Sequence, residues 1–284
     1  MHPSEKIIQQ RPAQVDFNLQ SMSEIYDRTK GVTDVPHRHD YYTTLLIKKA
    51  TGKHIIDFEK YPLKDLEVHF VSPGQVHQVE TTSRPTGWVI TFSRTFLAQN
   101  NIPESFISNI NLFKTFGSAP PLALDEPTLT KLVNIVSDME NCMPQELNYR
   151  SRALGALLQL FLIYANNSRA LDAEQLEEEN KSVCLLRDFK NLVDEKYADW
   201  HKVKDYASEI HISPKHLSQT VKDLTGKTAK TLIQDRQLLE AKRLLLHTNL
   251  SIKEIAYSIG FDEPLHFSGF FKKKSGTSPS TFRQ

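Results

Sequence analysis

Two stretches of this 284-residue chain repeat each other. One, "VKDYASEIHISPKHLSQTVKDLTG", begins at Val203. The other, "IKEIAYSIGFDEPLHFSGFFKKKSG", begins at Ile252. Ala207 corresponds to Ala256 and Ile210 to Ile259 at an offset of 49, while Leu217, Val221 and Gly226 correspond to Phe267, Phe271 and Gly276 at an offset of 50. One residue is therefore inserted at the turn of the second copy. Any fold of this chain has to place the same helix, turn and helix twice.

Each copy has the local chemistry of a helix-turn-helix. A small residue, Ala207 or Ala256, sits where two helices would cross closely. Four residues on comes the turn, at His211 or Gly260; glycine takes a positive φ at no steric cost, and histidine is among the residues enriched there. Ser213 is an expected N-cap with Pro214 at the first helical position. Asp262 is the expected cap of the second copy, with Glu263 in its first turn. The second helices are expected to bury Leu217, Val221 and Leu224, or Phe267 and Phe271, and to stop at Gly226 and Gly276. Between the copies, "KTAKTLIQDRQLLEAKRLLLHTN" reads as a long amphipathic helix through Ile233, Leu238, Leu239, Ala241, Leu244 and Leu245. It would hold the copies at the spacing of one duplex turn, about 34 Å. The run Lys272, Lys273 and Lys274 then suits phosphate contacts. Charge agrees: residues 181–284 hold 18 Lys and Arg against 12 Asp and Glu, within a chain whose net charge is +1.

This segment resembles the C-terminal DNA-binding domain of AraC/XylS-type transcriptional regulators over about residues 182–284, with "SIKEIAYSIGFDEPLHFSGFFKKKSGTSPSTFR" carrying the family signature. The resemblance implies an all-helical domain with two helix-turn-helix motifs lying in adjacent major grooves of double-stranded promoter DNA. Its base-facing positions fall on Lys215, His216, Ser218, Gln219 and Lys222 in the first motif. In the second they fall on Pro264, Leu265, His266, Ser268 and Gly269. Gln219 is the best base reader, because an amide can pair bidentately with adenine. The family often has arginine where this chain has Gly269, so direct readout is expected mainly from the first motif. The second would anchor through Lys272 and Lys273, with Leu265 against a thymine methyl.

The front of the chain reads differently. "TTLLIKKA", "KHIIDFE", "LEVHFVS" and "TGWVITFS" are short, β-branched and separated by turn signals, as in an antiparallel sandwich or barrel. Two helical stretches follow, "EPTLTKLVNIVSDMEN" and "RSRALGALLQLFLIYANN". The second is apolar nearly all round, which makes it a candidate dimer interface. "NNSRALDAEQLEEENKS" is acidic and poor in core residues and reads as a linker. Residues 17–95 resemble the cupin-like double-stranded β-helix at the front of many AraC-type regulators, through "VPHRHDYY" and "VSPGQVHQVE". The expected fold is thus a two-domain α+β chain: a cupin-like barrel with helical dimerisation segment over 1–167, a linker over 168–182, and the double helix-turn-helix over 183–284.

His37, His39, Tyr41, Tyr42, His77 and Trp88 are the candidate lining of a small-molecule effector pocket. The three histidines have ligand chemistry, but the glutamate that follows in metal-binding cupins is missing from "DYYTTLL", so neither a metal nor another cofactor is expected. Cys142 and Cys184 read as free thiols in a reducing cytoplasm. No run of about 18 apolar residues is present, and no GxSxG, P-loop or GxGxxG motif points to an enzyme. The sequence thus reads as an effector-controlled regulator, a homodimer on DNA with RNA polymerase as a further partner. The rival readings are a ligand-independent regulator with a filled barrel and a metal-dependent cupin enzyme fused to a DNA-binding tail.

Overall fold

A computed structural model describes residues 9–10, 16–110, 112–114, 120–143, 149–169 and 181–283. The chain divides into two units, Gln9–Leu176 and Glu177–Gln284. The linker expected over 168–182 lies for its greater part outside the described residues.

The first unit runs β1 (Gln9–Gln10), β2 (Phe17–Ser21), α1 (Met22–Arg28), β3 (His37–Arg38), β4 (Tyr42–Lys49), β5 (Gly52–Ile56), β6 (Glu59–Leu63), β7 (Glu67–Val71), β8 (Val76–Thr81) and β9 (Thr86–Phe92). It continues with α2 (Arg94–Gln99), α3 (Glu104–Ile110), β10 (Leu122–Ala123), α4 (Glu126–Cys142) and α5 (Arg150–Arg169). The strands form two five-stranded sheets, in the orders β1-β3-β8-β5-β6 and β10-β7-β4-β9-β2. All pairings are antiparallel except β1 with β3.

Strand alternation sorts the residues of the second sheet onto two faces. Tyr42, Leu46, Val68, Ile90 and Phe92 pack with Leu129, Leu132, Val136, Leu158 and Phe161 of α4 and α5. Leu45 and Ile47, on the other face, pack with Met22 and Leu63. β4, β5, β7 and β9 are the strands the sequence displays. β6 hides because Pro62 and the charged Glu59 and Lys60 interrupt its pattern, which its place at the end of a sheet tolerates.

The second unit is helical throughout its described residues: α6 (Lys181–Lys196), α7 (Val203–Glu209), α8 (Pro214–Thr225), α9 (Ala229–His247), α10 (Ile252–Ser258), α11 (Pro264–Ser275) and α12 (Pro279–Arg283). Ala207 and Ala256 are fully buried at the helix crossings, as are Leu217, Val221, Phe267 and Phe271. The Leu224 expected beside them is instead 42% exposed. It lies three residues past Val221 at the end of α8, where the helix has run beyond the packed face.

The long helix α9 also departs from expectation. Leu238 and Leu239 are only partly buried, whereas Arg236, Gln237 and Arg243 are buried. The apolar pattern missed a charge network that clamps α9 to α6. Arg236 Nε donates to Asp194 Oδ1 at 2.7 Å, and both Arg236 and Arg243 donate to Glu240 Oε2, at 2.9 and 3.1 Å. The Arg236 guanidinium also lies 4.1 Å from the centre of the Tyr197 ring.

Candidate functional site

The two turns of the second unit match bond for bond. In the first, the His211 amide donates to Ser208 O and the Ile212 amide to Ala207 O. In the second, the Gly260 amide donates to Tyr257 O and the Phe261 amide to Ala256 O. His211 takes φ +55° and Gly260 φ +85°, so both turns need the left-handed backbone that their residue types permit. The Ser213 side chain caps α8 by accepting from the His216 amide. The second cap differs from the sequence expectation. Pro264 is the first residue of α11, so Glu263 rather than Asp262 is the N-cap, and it makes no capping hydrogen bond. Proline, with its preset φ, takes the first helical position, and the inserted residue lengthens the turn by one.

Helices α8 and α11 each turn an apolar side inward and leave a polar side outward. Lys215, His216, Gln219 and Lys222 are exposed on α8, with Ser218 half-buried. The Gln219 amide donates to Asp223 Oδ1 at 2.7 Å, a contact that holds the side chain along the helix surface. On α11, Leu265 (83% exposed), His266, Lys272 and Lys273 face outward. Ser268 Oγ instead turns back to Pro264 O at 2.9 Å. Lys274 lies 3.8 Å from Asp235, apart from its two neighbours in the run.

The first unit holds a cavity of about 390 Å³ between its sheets and α1. His37 and His77 enter it from the first sheet, Thr43, Leu45 and Thr91 from the second, and Ile25 from α1. Of the six pocket candidates, His37, His39, Tyr41 and His77 line it; Tyr42 and Trp88 do not. Alternation explains both exceptions. Tyr42 packs in the outer core against Phe92 and Phe113, and Trp88 donates from Nε1 to Glu140 at 2.7 Å. The Thr91 hydroxyl is buried without a hydrogen-bond partner.

Behind the cavity wall are two histidines that sequence reading overlooked, His54 on β5 and His69 on β7, both buried. Their one signal was a polar residue at an inward position of an otherwise apolar strand. They complete a string: His39 Nε2 lies 2.9 Å from His77 Nε2, His77 Nδ1 3.1 Å from His54 Nε2, and His54 Nδ1 3.1 Å from His69 Nδ1. His69 Nε2 then faces Glu67 Oε2 at 3.4 Å. Burial, then the neighbouring His69 and His37, holds His54 well below the ordinary imidazole range, so it is neutral at pH 7. His37, His39 and His77 bring ligand-capable nitrogens within 4.8 Å of one another.

A helix-turn-helix domain family matches residues 206–284, which take in both motifs except the first residues of α7. The HTH-type transcriptional regulator YfiF of Bacillus subtilis (strain 168) is 27% identical over 87% of this chain and 78% of its own. The HTH-type transcriptional activator RhaS of Enterobacter sp. (strain 638) is 26% identical over 87% of both chains. Among solved structures, the C-terminal domain of AraT, a response regulator from Geobacillus stearothermophilus, shares 31% identity over 35% of this chain and 83% of that one, with a TM-score of 0.34. This chain is a DNA-binding transcriptional regulator of the AraC type. The likeness to YfiF and RhaS runs well beyond the helix-turn-helix segment, since each match spans most of the chain. In this AraC-type regulator no described helix is long and apolar enough to cross a membrane.

Proposed function

We propose that the regulator reads promoter DNA with α8 and α11 in adjacent major grooves and is governed by a small molecule in the cavity of its first unit. The observation that carries this reading is the bond-for-bond identity of the two turns, each of which presents a helix with an exposed polar face. Gln219 and Lys215 supply base readout, with His216, Ser218 and Lys222 beside them. Leu265 and His266 approach the second groove, and Lys272 and Lys273 neutralise phosphate.

The two sheets of the first unit close as a cupin-like barrel around the effector. The Thr91 hydroxyl supports this reading, because a buried hydroxyl without a partner costs about 1–3 kcal/mol, which a polar ligand relieves. Leu160 and Ile163, 40% and 39% exposed on one face of α5, form the contact of a homodimer. RNA polymerase is the further partner, and the cytoplasm the place of work. Effector binding alters DNA affinity only if the ligand binds the DNA-bound and free forms differently.

Thermal unfolding of the full chain against a panel of sugars, hydroxy acids and short carboxylates tests the effector. A ligand at 100 times its Kd adds about 2.7 kcal/mol of stability and should also shift operator affinity. No stabilising compound, with DNA affinity constant throughout, would favour the ligand-independent regulator.

A further inference from the structure

We propose that Asp223 is a specificity-determining residue of the first motif: it pins the Gln219 amide in the one orientation that pairs with adenine. The inference rests on the proposed reading of DNA by α8 and names the residue that sharpens it.

Gln219 and Asp223 lie four residues apart on α8, and both are exposed. That spacing stacks them one turn apart on the same face. The face is the outward one, since Leu217, Thr220 and Val221 are the residues of α8 that turn inward. Gln219 Nε2 donates to Asp223 Oδ1 at 2.7 Å. A carboxylate only accepts, so the pairing decides the flip of the amide: nitrogen toward Asp223, oxygen away from it.

A glutamine amide that nothing holds is less selective. It turns half a revolution about its last bond, which exchanges its donor and acceptor ends. Its N–H groups suit the N7 and O6 acceptors of guanine, and its oxygen alone suits the N4 amino group of cytosine. Asp223 takes the amide proton on the side away from Oε1. The proton beside Oε1 is left, a donor next to an acceptor, which is the complement of adenine N7 and N6. Guanine would then set O6 against Oε1, two acceptors face to face, and cytosine would leave the remaining proton unpaired. Asp223 thus governs the choice of base while touching none, as a positioning residue for Gln219.

The repeat supports the assignment independently. At the offset of 50, Gln219 corresponds to Gly269 and Asp223 to Lys273. Reader and holder occur together in the first motif and are replaced together in the second, where the exposed Lys273 suits phosphate instead. A carboxylate on the face turned to the duplex repels phosphate. Asp223 therefore lowers affinity for every sequence while raising the preference for one.

The test starts from duplexes that the full-length chain selects out of a random pool. The best of them is remade with each of the four base pairs at every position. Kd is then measured for the wild type, Gln219→Ala, Asp223→Ala and Asp223→Asn. Gln219→Ala marks its own position by relaxing it, and there the wild type should prefer adenine over guanine by about 10-fold or more. In Asp223→Ala that ratio should fall by about 5-fold or more, while binding to unrelated duplex tightens. Asp223→Asn keeps an acceptor but not the charge, so it should retain most of the preference yet tighten on unrelated duplex as well. A merely structural role would instead weaken all four duplexes alike and lower the urea midpoint. An adenine-to-guanine ratio unchanged in Asp223→Ala, at a position that Gln219→Ala relaxes, would overturn the role of Asp223 and leave the reading by Gln219 standing. Preference for another base at that position would overturn it too. If no sequence is enriched, or Gln219→Ala relaxes no position, the reading itself fails and the proposal falls with it.

Discussion

Gly260 and Gly269 belong to the same motif and meet opposite demands. Gly260 has φ +85°, and a Cβ there would lie 1.7 Å from the Ala198 carbonyl oxygen; at Gly269, inside α11, a Cβ meets nothing within 4 Å. Gly260→Ala should cost at least about 2 kcal/mol. Gly269→Ala should stabilise by about 0.5–1 kcal/mol, because glycine weakens a helix interior. Urea unfolding midpoints of the two variants check both signs. The same scale separates readers from anchors. Gln219→Ala should cost about 1–3 kcal/mol and relax preference at one base position. Lys272→Ala should weaken all duplexes evenly and lower the salt slope by about 1. A uniform loss for Gln219→Ala across operator variants would remove its reading role. The residues at these turns were legible because backbone geometry leaves few alternatives: a left-handed turn, a proline at a helix start, a glycine at a helix end. Asp262 was misjudged because cap propensity says nothing about where an inserted residue is absorbed. His54 and His69 escaped because only the pairing of distant strands makes them neighbours.

At the scale of elements, α9 shows how far apolar patterning reaches. Its period correctly indicates a long helix, but the residues that fix it to α6 are charged. Burial pushes the Glu240 carboxyl up, yet Arg236 and Arg243 outweigh this and leave it below its ordinary value of 4.5. The network therefore contributes stability above about pH 4.5, and this is lost as pH falls through the folded value. Glu240→Gln should flatten that part of the acid limb, read from urea midpoints between neutral and acid pH. Arg236→Met should be worse at pH 7, by about 3–5 kcal/mol, because it removes the guanidinium that pairs with Asp194 and leaves Glu240 with Arg243 alone. In the first unit, α5 was legible as a helix with too much apolar surface for one partner. Its exposed Leu160 and Ile163 give the matching prediction. Leu160→Glu with Ile163→Glu should yield a folded monomer by analytical ultracentrifugation, with weaker DNA binding; an unchanged assembly would place the dimer contact elsewhere.

For the whole molecule, the two units carry different amounts of readable information. The second repeats a motif, and repetition exposes its own register, so two copies confirmed each other's turns. The first has no repeat to check against, and its sheet topology joins strands far apart in sequence. Its cavity was legible through His37, His39, Tyr41 and His77, but α1, which forms part of the wall, was not. Both motifs are expected to read DNA together. Selection of bound duplexes from a random pool, with the full chain at moderate salt, measures this most directly. The expected result is an enriched sequence with two patches of base preference about one helical turn apart, the stronger one lost in Gln219→Ala. Retention without any enriched sequence, falling steeply with salt, would show that the lysines hold phosphate while the helices read nothing, and would contradict it.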